Sequence, residues 1–149
     1  MKLTDFKSSK SEQCAKEIIR WIIKHGGWGD TNVYAKTGGK WRCFTNRNPE
    51  TGHYMYQDSY LYENDKQKET KAAYEKRILD TCVFIIEDDD PSRCFEWTGD
   101  FVCLSTEGWL YDALNYGNGK TEDQLWKICQ KYGKYFERGY AWSLALYDN

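Results

Sequence analysis

The longest uninterrupted apolar run in this chain is five residues, Cys82 to Ile86. A helix that crosses a bilayer needs about 20 apolar residues. A membrane is therefore not an expected partner. Each element must instead be short and must bury one apolar face against another element. The material for that burial is aromatic. Of 149 residues, 17% are Phe, Trp or Tyr, with 7 Trp and 12 Tyr among them. Disordered chains are poor in such residues, and each aromatic side chain buries a large area. The length predicts one domain over residues 1–149. A chain of this size buries roughly 70% of the surface it exposes when unfolded, so it needs no metal or disulfide to fold.

The periodicity predicts an order of elements. Ser9 and Glu12 have capping-box spacing. Cys14, Ile18 and Ile22 then recur every fourth residue, with Ala15, Ile19 and Ile23 beside them, up to Gly26-Gly27. That is a helix with a broad apolar face. Val33–Lys36 and Lys40–Thr45, joined through Thr37-Gly38-Gly39, read as a hairpin. Asn48–Gly52 is a turn by composition, and His53–Tyr62 reads as a strand or a bent pair. Asn64 with Gln67 would cap a charged helix over Lys66–Thr81, with Ala73, Ile78 and Leu79 inward. Cys82–Ile86 reads as a buried strand. Arg93–Thr98 and Phe101–Ser105, on either side of Gly99-Asp100, read as a second hairpin with a tight turn. Gly108–Tyr116 is a short helix closed by Gly117 and Gly119. Thr121 with Gln124 would cap a longer helix ending near Gly139, its buried face made by Leu125, Ile128, Cys129, Tyr132 and Phe136. Tyr140–Tyr147 reads as a final strand, with a terminal helix as the rival reading. Short turns imply antiparallel pairing. The expected fold is therefore α+β, an antiparallel sheet of about five to six strands with helices packed on one face.

Six cysteines are present, and none forms a Cys-x-x-Cys pair. The N-terminus has no apolar signal-like segment. Free, buried thiols in a reducing, cytoplasmic compartment are the expectation. The charge is unevenly spread. Residues 1–47 hold ten Lys/Arg against four Asp/Glu, and residues 48–112 hold six against fifteen.

Three groups of residues could carry chemistry. The acids between residues 87 and 107, beginning with Glu87-Asp88-Asp89-Asp90, could bind a hard cation through oxygen. No lysine follows Glu96 at the spacing a metal-dependent nuclease uses, so a solvated loop is the simpler expectation. His25 and His53 have no metal-ligand neighbour at helical spacing, and no cofactor is expected. Lys127, Lys131, Lys134 and Arg138 recur along what reads as one helical face, with Tyr135 beside it. Such a stripe can track phosphates or simply face water. Finally, Thr106–Gly117 packs aromatics, acids and glycines together, and Tyr111, Asn115 and Tyr116 could border an interface.

The sequence thus reads first as a non-catalytic binding protein that acts stoichiometrically on a macromolecule. The partner would be a protein or a protein–nucleic-acid complex, with direct nucleic-acid binding the weaker option. Phage and mobile-element accessory proteins that inhibit a host nuclease or defence complex are often domains of this style. A metal-assisted hydrolase or nuclease using the acids of residues 87–107 is one alternative. A small-ligand binder with an aromatic pocket is the other.

Overall fold

The computed structural model describes residues 1–55, 62–63, 66–139 and 142–149. One six-stranded sheet, ordered β5-β2-β1-β6-β8-β7, forms its middle layer, and every neighbouring pair is antiparallel. The strands are β1 (Val33–Thr37), β2 (Lys40–Thr45), β5 (Phe84–Glu87), β6 (Val102–Ser105), β7 (Lys134–Arg138) and β8 (Ser143–Asp148). Two residues each of β3 (Tyr62–Glu63) and β4 (Lys66–Gln67) form a separate small ladder. The helices are α1 (Lys10–Lys24), α2 (Lys71–Cys82), α3 (Trp109–Tyr116) and α4 (Lys120–Lys131). The expected α+β architecture is present.

Strand alternation divides the sheet into two unequal faces. Val33, Ala35, Phe44, Val102, Leu104, Phe136, Leu144 and Leu146 point to one side, and there they share a core with apolar residues of all four helices. Helix α1 is the centre of this layer. Cys14, Ala15, Ile18, Ile19, Ile22 and Ile23 are all fully buried. Each buried isoleucine contributes about 1.5–3 kcal/mol. Tyr34, Trp41, Cys43, Cys103 and Ala145 point to the opposite side and meet Phe95 in a smaller cluster.

The ends of α1 are fixed by polar contacts. Ser9 caps the helix by accepting from the Glu12 amide. Glu12 is itself buried and pairs with Arg42 on β2, whose Nε donates to Glu87 on β5 at 3.0 Å. The Lys7 amide donates to the same Glu12 carboxylate at 3.0 Å. At the other end, Gly26 takes a φ of +69° and the chain reverses.

The β1–β2 hairpin forms as expected. Gly38 and Gly39 both have positive φ, which is the twist-matching turn that glycine pairs favour.

Several expected elements differ. Arg93–Thr98 is not a strand. Asp90 accepts from the Ser92 amide, and the amides of Cys94 and Phe95 both donate to Pro91 O, so a tight turn uses the donors that a ladder would need. Phe95 then drops onto the outer sheet face against Tyr34, with ring centroids 5.6 Å apart, while Trp97 is exposed. β6 pairs with β1 and β8 instead.

The second helix starts at Lys71, because Thr70 caps it by accepting from the Ala73 amide. Lys66–Gln67 lies in β4, and Ala73 faces outward. Asn64 and most of the expected 53–62 strand lie outside the described residues. Cys82 ends α2, and β5 is a half-buried edge strand. Thr121 sits inside α4. Gly119, at φ +86°, is the capping position, and Asn118 accepts from the Lys120 amide.

The largest difference follows α4. The helix tightens through bonds from the Tyr132 and Gly133 amides to Cys129 O and Gln130 O. Gly133 then takes a φ of +67° and ends the helix, as glycine does at helix C-termini. Lys134–Arg138 continues as strand β7.

All six cysteines are free and five are buried, with Cys94 exposed. Burial pushes the thiols of Cys43 and Cys129 up to about 12, and it drives Cys14 and Cys103 still further above the ordinary thiol value. No helix of the described residues is long and apolar enough to cross a membrane.

Two outcomes are expected. Glu12→Ala leaves Arg42 buried without its nearest carboxylate, and urea unfolding should show a loss of about 3–5 kcal/mol. A loss below about 1 kcal/mol would mean that the pair does not hold α1 to β2. In native protein at mildly alkaline pH, an aromatic disulfide reagent should modify Cys94 at once. The other five thiols should react only on unfolding, because they are buried away from the reagent. Three or more fast thiols would contradict the packing described.

Candidate interaction surface

Helix α3 turns its side chains in two directions. Leu110 and Leu114, four apart, are buried in the core. Tyr111 and Asn115, also four apart, lie on the outward side with Tyr116 at the end. Tyr116 is 77% exposed. Its ring lies 6.2 Å from that of Tyr111 at an interplanar angle of 68°, an edge-to-face pair. A hydrogen bond between the two phenols raises the Tyr111 pKa. The Asn115 amide nitrogen donates to Tyr111 O at 2.8 Å, so its oxygen faces away from the helix.

That oxygen meets Arg138, the last residue of β7. Arg138 Nη1 donates to Asn115 Oδ1 at 3.4 Å, and Nη2 donates to Leu114 O at 3.2 Å. Glu122 on α4 lies 3.4 Å from the same Nη2. A cation at the C-terminal end of α3 complements the helix dipole. The guanidinium is held in place by α3 and α4 together, and the two tyrosines hold each other. Tyr111, Asn115, Tyr116 and Arg138 thus form one preorganised patch.

The remaining basic residues do not join it. The expected single helical stripe is broken at Gly133, so Lys127 and Lys131 lie on α4 whereas Lys134, Tyr135 and Arg138 lie on β7. Lys131 bonds to Glu17 of α1 at 3.1 Å. Lys134 pairs with Asp148, and its ammonium stands 4.3 Å from the Phe101 ring centre. Tyr135 packs beside Tyr147 on the outer sheet face, 5.9 Å between ring centres. Lys127 is exposed on α4.

The acids of residues 87–107 are dispersed. Glu87 pairs with Arg42, Asp89 with Arg93, and Asp100 with Lys36. Among the described residues, no group of three or more His, Cys, Asp or Glu side chains gathers where a metal ion could bind. His25 stacks on Trp109 with centroids 5.0 Å apart, and its Nε2 lies 3.1 Å from Gln124 Oε1.

The structure also holds a concave feature that the sequence reading did not point to. Gly26-Gly27-Trp28-Gly29-Asp30, read only as a helix stop, lines a pocket of about 370 Å3 together with Asn46 and Trp109. The density of glycine in this segment was the signal that could have pointed to it.

Gly117 sets the end of α3. A methyl group added there would fall 2.3 Å from Ala113 O, a backbone atom that cannot swing aside. Gly117→Ala should therefore destabilise the protein by about 1–3 kcal/mol although the site is exposed. Thermal unfolding measures this, and an unchanged midpoint would contradict the tight exit from α3.

No protein-family model matches this chain, and no curated protein or solved structure matches it either.

Proposed function

We propose that this chain is a non-catalytic binding protein that acts stoichiometrically on a macromolecular partner. The partner we favour is a protein, alone or within a protein–nucleic-acid complex. The observation that carries this reading is the preorganised Tyr111–Asn115–Tyr116–Arg138 patch. Interface energy concentrates in a few Tyr, Trp and Arg side chains. Such residues contribute most when little freedom is lost on binding. Arg138 and Tyr116 meet both conditions, being exposed and already held by neighbours, Tyr116 by the half-buried Tyr111. A single copy that covers a partner's working surface, as phage or mobile-element inhibitors of nucleases do, requires no more than such a patch.

Direct nucleic-acid binding draws less support. Lys131, Lys134 and Arg138 each face a carboxylate of the chain itself, and they do not follow one continuous face.

The test compares capture from native-source lysate by wild type, Tyr116→Ala, Arg138→Ala and Lys127→Glu, with circular dichroism confirming each fold. A nuclease-treated lysate separates protein-borne from nucleic-acid-borne association. One partner should be captured by wild type and by Lys127→Glu. Its recovery should fall at least about tenfold with Tyr116→Ala, since a central aromatic anchor contributes about 2 kcal/mol or more. Equal recovery by all four proteins would remove the patch from the interface.

A further inference from the structure

The two edges of the sheet are built differently. β7 closes one edge with Lys134, Glu137 and Arg138 among its five residues. Charged side chains of this kind discourage a further strand from adding. β5 closes the other edge with Phe84, Ile85 and Ile86 in a row, all half-buried. Ile85 packs against the helix-side core and Ile86 against the outer cluster, so this edge is apolar on both faces.

The backbone of β5 is only half used. Gly38-Gly39 is a two-residue turn, which makes Thr37 and Lys40 a hydrogen-bonded pair. Alternation along β2 then turns the N–H and C=O groups of Trp41, Cys43 and Thr45 toward β5. The Asp89 amide donates to Trp41 O at 3.1 Å, as this alternation requires. Cys43 with Ile86 and Thr45 with Phe84 are therefore the bonded pairs of the β2–β5 ladder. The N–H and C=O groups of Ile85 and Glu87 point away from the sheet. Among the described residues they have no hydrogen-bond partner. Val83 is extended and faces the same way; its O accepts from the Met1 amine at 3.0 Å and keeps a second lone pair.

We propose that β5 pairs antiparallel with β5 of a second copy of this chain, joining the two six-stranded sheets into one. The two-fold axis passes between the two Ile85 residues. Each Ile85 N–H donates to the carbonyl of the other, and each Glu87 N–H donates to the Val83 carbonyl across the axis. Phe84 then stands opposite Ile86, and an aromatic beside a β-branched residue is a favourable cross-strand pair. Side chains choose this register. An axis at Ile86 sets Phe84 against Asp88 and Ile85 against Glu87. A second copy is the occupant because the apolar match is self-complementary, as an isologous contact has to be. Assembly stops at two, because the edges left open are both the charged β7. Four residues a side make a small contact, so the dimer is weak, with a Kd of about 10–100 µM. Arg138 lies on the far edge and stays open in both copies. The dimer therefore stands or falls independently of the proposed interaction patch.

Sedimentation velocity of the whole chain, run from about 5 to 500 µM, tests this together with amide hydrogen exchange by NMR at low and high concentration. The mass should rise from 17.6 kDa toward twice that value as concentration increases. The amides of Ile85 and Glu87 should gain protection over the same range. Those of Phe84 and Ile86, already bonded to β2, should be protected throughout. Ile85→Pro removes an N–H that makes no bond in a single copy, at a position where an edge strand tolerates proline. It should weaken association about tenfold or more. Glu137→Lys, on the opposite edge, should associate as wild type does. A mass of 17.6 kDa at every concentration would overturn the proposal. Association that leaves Ile85 and Glu87 unprotected would overturn it too, as would undiminished association by Ile85→Pro with a wild-type circular dichroism spectrum. Should that variant fail to fold, the exchange comparison on wild type decides alone.

Discussion

The apolar stripe of α1 has to be covered, and the six-stranded sheet is what covers it. Six fully buried side chains on one face of a fifteen-residue helix leave little choice of orientation. The sheet face opposite them must be apolar from β2 through β8, which is the set Phe44, Val33, Ala35, Val102, Leu104, Leu144 and Leu146. Helices α2 and α4 then flank α1 and finish the layer. The buried Glu12–Arg42 pair sets where the helix begins, because it anchors the first turn over β2 and β5. Removing one member of such a pair leaves an uncompensated charge, which makes the contact a determinant of register even where its net contribution to stability is small. Once the start of α1 is placed, its C-terminal end is placed too. The glycine loop, the pocket and the N-terminus of α3 follow from that.

Helix α3 acts as a short bridge with a different surface at each end. Its first turn borders the glycine-walled pocket. Its last turn carries Tyr116 and receives Arg138 from the sheet. Between them, Leu110 and Leu114 hold the helix to the core, so neither end can move without disturbing buried residues. The cations around it are mostly committed. Lys131, Lys134 and Arg138 each face a carboxylate from another part of the fold. They contribute less as a free electrostatic field than their number suggests. What remains on offer is aromatic area with a fixed guanidinium, the surface on which the proposed function rests.

Local cues made about half of this legible. The start of α1 could be read from Ser9 and Glu12, its end from Gly26, and the first hairpin from Gly38-Gly39, since each depends on residues within one turn. The Tyr111, Asn115 and Tyr116 set was legible for the same reason, as outward positions of a short helix. The failures share a physical cause. Tyr132 and Phe136 stand four apart, so they continue the helical spacing of Leu125 and Cys129, although Gly133 between them ends the helix. Residues 134–138 carry no strand-like alternation of their own, and only pairing with β8 makes them a strand. Arg138 reaches α3 through that pairing, so its role had no local signature. Asn46 was overlooked likewise, since its burial comes from packing between distant segments. Residues 93–98 misled because their alternation favours a strand, while Asp90 and Pro91 upstream direct the backbone donors into a turn.

The break at Gly133 is the step on which the proposed surface depends, because it converts a helical stripe into a strand that delivers Arg138 to α3. Through-space proton contacts measured by NMR over residues 131–148 test it most directly. The account predicts cross-strand backbone contacts in the register Tyr135 with Tyr147, Phe136 with Leu146 and Glu137 with Ala145. Contacts between the Arg138 side chain and Asn115 should accompany them. Continuous helical contacts from each residue to the third one beyond, running unbroken from Lys131 to Arg138, would contradict it.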